Sequence, residues 1–142
     1  MATMTADPVF VDTNILVNLK FAAAPFHAEA VAKLNELTRS GCTLWLSRQI
    51  LRERFLGPPL PAAAVIADMT DFLKRFTTAN ETAAVTQQLL SLISTTLCGG
   101  KQVHDANIVA TMIVHGVTNL LTHNTADFQR FGHLIKVIPL AP

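Results

Sequence analysis

The chain has 142 residues, of which 50% are hydrophobic and 15% charged, and its formal net charge is +1. This length fits a single domain, residues 1–142, and is too short for two domains with separate cores. A charge near neutral argues against a constitutive nucleic-acid coat protein, which is usually far more basic. No apolar stretch approaches the roughly 20 residues of a membrane span, and the N-terminus lacks the basic region of a signal peptide. We therefore expect a cytoplasmic protein.

Apolar periodicity predicts an alternation of strands and helices along the chain. The predicted strands are residues 9–11, 42–46, 117–122 and 134–140. The predicted helices are residues 25–40, 47–55, 62–76, 80–98 and 104–115, with a short helical turn at 125–130. Gly41 and Gly116 are expected to end the helices before them, and Asn80 to cap the helix that it begins. This order favours an α/β fold in which a small parallel sheet has helices on both faces.

Asp12 is the first candidate functional residue, because it directly follows the apolar run that ends at Val11. Open α/β sheets bind ligands in the crevice at the carboxyl ends of their strands. An ionised carboxylate resists burial there unless it is paired or bound to a metal. An acid in this position can also simply cap the next helix, so Asp12 alone does not decide between the two roles.

Three more acids are expected near the same edge of the sheet. Glu53 lies on the helix after the second strand, Asp105 near the start of a core-packed helix, and Asp127 after the third strand. Each also has an ordinary structural explanation, which is a solvated helix face, a favourable interaction with the helix dipole and turn chemistry, respectively. Asn124, in the same loop as Asp127, can serve either as a cap or as a support for this group.

The chemistry of clustered carboxylates points to a metal site. Such groups repel one another, which raises the pKa of at least one of them and favours divalent cations at their centre. Oxygen ligands alone suit Mg²⁺ or Mn²⁺, and these ions support phosphoryl chemistry by activating water and stabilising the leaving oxygen. Zinc is not expected, because Cys42, Cys98 and the five histidines match no zinc-binding spacing.

Four segments together resemble PIN-domain proteins, and in particular the VapC-type toxin ribonucleases of toxin–antitoxin pairs. The segments are residues 9–14 (VFVDTN), 46–53 (LSRQILRE), 104–110 (HDANIVA) and 121–128 (LTHNTADF). They span nearly the whole chain in the order of the family. The resemblance implies a PIN-like three-layer α/β/α fold and a Mg²⁺- or Mn²⁺-dependent endoribonuclease. It also implies hydrolysis by metal-activated water, which leaves a 5′-phosphate and a 3′-hydroxyl.

The same resemblance assigns roles to individual residues. The four acids match the catalytic, metal-binding positions of the family, and they are Asp12, Glu53, Asp105 and Asp127. The first three match the core acids, and the last matches a more variable position. Asn14, together with Thr122 or Asn124, is expected to support the ligands by hydrogen bonds.

The expected partners are RNA, an antitoxin and a second copy of the chain. Three arginines that flank Glu53 can hold RNA phosphates by bidentate contacts or simply form a solvated helix face; they are Arg48, Arg52 and Arg54. The resemblance implies a homodimer and a cognate antitoxin that inserts towards the active site. The low charge and high apolar content agree with a partner surface, for which helices 62–76 and 80–98 are the candidates.

The sequence offers three other interpretations. A haloacid-dehalogenase-like phosphatase also opens with a strand and an Asp, but Asn14 stands where its second Asp is expected. A phosphoacceptor receiver domain expects a Lys after a late strand, and Lys136 lies within an apolar strand instead. A catalytically silent PIN-like scaffold that binds RNA or protein is the main alternative. It predicts the loss of an acid, whereas all four candidates are present.

Overall fold

The structure is a computed structural model that describes residues 7–49, 61–96, 99–100 and 102–140, without the side chain of Phe72. Its strands are β1 Val9–Val11, β2 Leu44–Ser47, β3 Thr77–Ala79, β4 Asn119–Thr122 and β5 Lys136–Pro139. Its helices are α1 Thr13–Lys20, α2 His27–Arg39, α3 Ala62–Arg75, α4 Ala83–Thr95, α5 Gln102–His115 and α6 Thr125–Phe128, and a 3₁₀ turn, Gln129–Phe131, follows α6. No helix within these ranges is long and apolar enough to cross a membrane.

The five strands pair in parallel in the order β3-β2-β1-β4-β5, so β1 lies at the centre of the sheet. Its register is fixed on both sides, with Val9 opposite Leu44 of β2 and opposite Asn119 of β4. Successive side chains of a strand point to opposite faces, and Val9, Phe10 and Val11 are all buried. Both faces of the sheet centre are therefore covered, as the predicted α/β fold requires.

The connection from β3 to β4 carries the chain from one side of β1 to the other. This crossing makes the carboxyl edge between β1 and β4 the switch point of the sheet, where open α/β folds place their ligand crevices. Asp12 follows β1 at this edge, and Thr122 is the last residue of β4. The strand order therefore brings two residues that are far apart in sequence to one crevice.

The structure contains two elements that the sequence pattern did not indicate. Helix α1 follows Asp12 directly and buries Ile15 and Leu16. It was missed because its 8 residues make only about two turns, which are too few to show a helical period. Strand β3 was missed because its three residues, Thr77–Ala79, are too few to show an alternating pattern.

The predicted ends of the helices are confirmed in two places and wrong in one. Gly41 and Gly116 adopt positive φ angles of 81° and 71° within two residues of the ends of α2 and α5, as glycine helix stops do. The cap of α4 is Thr82 and not Asn80, because the Thr82 hydroxyl oxygen accepts a hydrogen bond from the Val85 amide at 3.4 Å. Asn80 lies instead between β3 and α4.

Candidate active site

Asp12 is buried at the carboxyl end of β1, where only 8% of the residue is exposed. Its Oδ1 accepts a hydrogen bond from the Thr13 amide at 2.7 Å, so Asp12 caps helix α1. The structure therefore confirms the capping role that the sequence offered. This role is compatible with a ligand role, because the cap engages one oxygen of the carboxylate and other residues position the second.

Thr122 and Asn14 hold this second oxygen of Asp12. The Thr122 hydroxyl donates to Asp12 Oδ2 at 2.8 Å, and the Asn14 amide donates to the same oxygen at 3.2 Å. Thr122 is fully buried, and its hydroxyl oxygen lies a further 3.2 Å from the Asn14 amide nitrogen. These bonds join β4 to the first turn of α1 and fix the orientation of the carboxylate at the switch point.

Asn124 takes part through its backbone. Its N–H donates to the Thr122 hydroxyl oxygen at 3.1 Å, while its side chain makes no capping hydrogen bond to α6. The Asn14 side-chain oxygen extends the network by accepting from the His123 amide at 3.1 Å. Of the two residues that the sequence offered as supports, Thr122 is therefore the one whose side chain contacts the carboxylate.

Asp105 lies in the first turn of α5 and is half-buried. The helix is anchored in the core by Ile108, Val109 and Met112, which are buried in the phase that the sequence predicts. Because these residues lie three, four and seven positions after Asp105, they share its side of the helix. The carboxylate is thereby kept at the border between the core and solvent.

The acids of the site interact electrostatically. Burial raises the pKa of Asp105 to about 6, with further increases from the charges of Asp12 and Asp127. The positive charge of Arg130 opposes this shift without cancelling it. Burial is the largest cause, and the charges of Asp12 and Asp127 act in the direction expected of clustered carboxylates. The charges of Asp12 and Asp127 therefore act on Asp105, and Asp12, Asp105 and Asp127 are called the acid cluster below.

The acid cluster fits Mg²⁺ or Mn²⁺ in its chemistry, because its donors are carboxylate oxygens. It is not a complete coordination sphere. Within the part of the chain that the structure describes, no three acidic, histidine or cysteine side chains are arranged to hold a metal ion. Asp127 is exposed in α6, and Glu53, the remaining predicted ligand, lies outside the described residues.

One of the three candidate RNA-binding arginines can be placed. Arg48 follows β2 directly and is exposed, at the carboxyl edge of the sheet. Arg52 and Arg54 lie outside the described residues, as does the predicted helix 47–55 from residue 50 onward. Arg48 is therefore accessible to a ligand on the side of the sheet where the acid cluster lies.

Gln49 is a residue of this region that the sequence analysis did not single out. It is 8% exposed and lies two residues after the end of β2. Its amide contacts the side chains of His104 and Asn107, which flank Asp105 in α5. The signal that could have identified it is the one that identified Asp12, namely a polar residue just beyond a buried strand.

The comparison with protein families identifies the chain. The PIN domain model matches residues 9–134, and the chain therefore belongs to the PIN domain family. Among curated protein sequences, none matches this chain.

Solved structures with this fold come from several bacteria. A toxin–antitoxin complex from Klebsiella pneumoniae is 23% identical, with a TM-score of 0.67 over 93% of this chain and 97% of that one. VapBC-1 from nontypeable Haemophilus influenzae is 19% identical, with a TM-score of 0.67 over 94% and 98% of the two chains. VapC20 from Mycobacterium tuberculosis, described as a sarcin–ricin loop cleaving toxin, is 22% identical, with a TM-score of 0.60 over 79% and 86%. The likeness confirms the predicted PIN-like α/β fold.

Proposed function

We propose that this chain is a metal-dependent endoribonuclease and the toxin of a type II toxin–antitoxin pair. The observation that carries the proposal is the acid cluster, in which the pKa of Asp105 is raised to about 6 by burial and by its neighbours. Like charges in a partly buried crevice destabilise a fold unless a cation joins them. The similar structure described as a toxin–antitoxin complex supports the role of a toxin. The similar structure described as a sarcin–ricin loop cleaving toxin supports the choice of RNA as the substrate.

The proposed metal ligands are the acid cluster and Glu53, and the bound Mg²⁺ or Mn²⁺ would supply an activated water and neutralise charge on the phosphodiester. Thr122 and Asn14 hold the Asp12 carboxylate in one orientation, as partners behind a metal ligand do. Asp105 must release its proton to act as a ligand. Because its pKa is about 6, the carboxylate is already mostly ionised at neutral pH.

Substrate binding is proposed to involve the arginines after β2. Arg48 is exposed at the carboxyl edge of the sheet, and guanidinium groups bind phosphate oxygens in a bidentate manner. Arg52 and Arg54, which follow closely in sequence, are proposed to add further phosphate contacts. We propose the cytoplasm, where cellular RNA is abundant, as the location of the activity.

The direct test is the cleavage of RNA by the purified chain. We expect cleavage in Mg²⁺ or Mn²⁺ and none in a chelator, because the proposed chemistry depends on the ion. End labelling of the products should show 5′-phosphate and 3′-hydroxyl termini, as attack by water with departure of the 3′ oxygen requires. RNA binding without cleavage in either metal would contradict the enzyme and support a catalytically silent scaffold.

Exposed apolar side chains on α3 and α4 support a homodimer with an antitoxin bound to each subunit. Ile66, Leu73 and Leu90 are 65%, 56% and 62% exposed. Among the described apolar side chains of residues 62–76, the buried one is Phe76, at the end of the segment. Apolar side chains gathered on an exposed helix are typical of contacts with another chain. We therefore propose that α3 and α4 form the dimer surface.

Replacing Ile66 and Leu73 together by glutamate is expected to convert the dimer into monomers. Two charges would be buried in the interface without partners, which is costly. Light scattering measures the mass of the particle in solution. The matched control is Leu134→Glu, which adds a charge at an exposed leucine just before β5 and should leave the dimer intact. A wild-type protein that is monomeric at micromolar concentrations would refute the homodimer.

A further inference from the structure

A buried amide joins the end of β2 to the helix that carries Asp105. The Asn107 amide donates to Gln49 Oε1 at 2.7 Å, and Gln49 Nε2 lies 3.1 Å from His104 Nδ1. Gln49 is 8% exposed, so its polar groups require such partners. His104 and Asn107 lie on successive turns of α5, and Asp105 lies between them in sequence.

The direction of these hydrogen bonds determines which nitrogen of the His104 ring carries the hydrogen. Because Asn107 donates to the oxygen of the Gln49 amide, the nitrogen of that amide faces His104 and can only donate. Nδ1 of His104 must then accept, and the ring hydrogen resides on Nε2. His104 is exposed, and in the described ranges of the chain no group forms a hydrogen bond with its Nε2. The ring therefore presents an N–H donor to solvent.

We propose that Gln49 is a positioning residue that holds the His104 ring so that its Nε2–H donates to a phosphate oxygen of the RNA. The proposal rests on the ribonuclease function proposed above. The oxygens of a phosphodiester can only accept hydrogen bonds, so an N–H donor suits them. Gln49 orients this donor by its contact with the opposite nitrogen of the His104 ring. The carboxylates of the acid cluster repel a phosphodiester in the absence of metal, and a donor next to Asp105 offsets part of this repulsion. His104 would thus contact the substrate, and Gln49 would act through it.

The tautomer of His104 tests the positioning step without RNA or metal. Long-range ¹H–¹⁵N correlation spectra of the labelled full chain distinguish the two neutral tautomers, and the His104 signals are assigned from their loss in His104→Ala. We expect hydrogen on Nε2 in the wild type and a mixture of tautomers in Gln49→Leu. Gln49→Glu provides a second variant, because a carboxylate accepts from Nδ1–H and should move the hydrogen to Nδ1. A wild-type ring with hydrogen on Nδ1, or spectra unchanged in both Gln49 variants, would overturn the proposal.

The affinity for RNA tests the substrate contact. Fluorescence anisotropy with a short single-stranded RNA in chelator measures binding without cleavage. His104→Ala and Gln49→Leu are each expected to weaken binding by about tenfold, the usual effect of one lost hydrogen bond to a charged group. The double variant should bind no more weakly than His104→Ala, because Gln49 acts through His104. His133→Ala, at an exposed histidine in the turn before β5, is the control and should bind as the wild type does.

The outcomes separate this proposal from the proposed function. Wild-type RNA affinity in both single variants, or additive losses in the double variant, would overturn the role of Gln49 and His104 even in an active nuclease. The expected tautomer and affinity changes in a chain that binds RNA but does not cleave it would support the contact and refute the nuclease.

Discussion

Asp12→Asn and Asp105→Asn are each expected to lower RNA cleavage by orders of magnitude while the protein stays folded. Asparagine keeps the size of the side chain and one acceptor oxygen, but it removes the charge that a divalent ion needs from its ligand. Initial rates in Mn²⁺ measure the effect. Glu29→Gln, which neutralises an exposed carboxylate on α2, is the matched control and should cleave at the wild-type rate. Near-normal cleavage by both aspartate variants would refute the catalytic assignment.

Thr122→Val is expected to cleave RNA faster than the two aspartate variants and more slowly than the Glu29→Gln control. Valine has nearly the shape of threonine but cannot donate to Asp12 Oδ2, the contact that measures 2.8 Å in the structure. Loss of a partner that orients a metal ligand typically costs about 10–100-fold in activity or metal affinity. Added Mn²⁺ should therefore restore part of the Thr122→Val activity. A Thr122→Val enzyme with unchanged metal dependence would show that the hydroxyl serves only to stabilise the fold.

The sequence predicted where Asp12 and Asp105 lie in their elements because these positions depend on local order. Asp12 is recognised from the buried strand directly before it, and Asp105 from its phase with Ile108 and Val109. Both inferences need only the period of strands and helices. The α/β class follows in the same way from the order of the elements. For these features, the sequence alone was sufficient.

The hydrogen bonds between residues that are distant in sequence were beyond reasoning from periodicity, and only the family resemblance indicated Thr122 as a support. Thr122 reaches Asp12 only because β4 pairs with β1, and the pattern predicts strands without their neighbours. Gln49 contacts α5 for a similar reason, across more than fifty residues. Strand β3, which lies beyond β2 at the edge of the sheet, was missed because its three residues carry too little pattern.

Asp105→Asn is expected to stabilise the metal-free protein although it abolishes activity. The pKa of Asp105 is raised from 3.8 to about 6, so the ionised carboxylate is less stable in the folded chain than in the unfolded chain. Asparagine removes this penalty. Because Asp105 is only half-buried, solvent screening reduces the effect to on the order of 1 kcal/mol, or a few degrees in Tm. Asp12→Asn should give no such gain, since it weakens the hydrogen bonds from Thr13, Asn14 and Thr122.

The stability that Asp105→Asn gains over the wild type should decrease as the pH falls. The penalty of ionised Asp105 is fully present above its folded pKa of about 6 and is lost as the pH falls from there towards 3.8, where the unfolded chain also takes up the proton. In chelator, the difference in Tm between Asp105→Asn and the wild type should therefore shrink as the pH falls from about 7.5 to about 5. Glu29→Gln should show no comparable difference at either pH. A difference that stays constant over this range would mean that Asp105 acts by packing and not by its charge.

Mn²⁺ should reverse the order of the melting temperatures of the wild type and Asp105→Asn. An ion that binds only the folded state stabilises it by about 2.7 kcal/mol at a hundredfold excess over its Kd. The wild type should gain this stability, whereas Asp105→Asn, which lacks one of the proposed ligands, should gain much less. Thermal melts of both proteins in chelator and in Mn²⁺ at neutral pH give the comparison. If Mn²⁺ raises both melting temperatures equally, Asp105 is not a ligand. If Asp105→Asn melts below the wild type in chelator, the Asp105 carboxylate stabilises the fold, and the acids of the cluster do not repel one another.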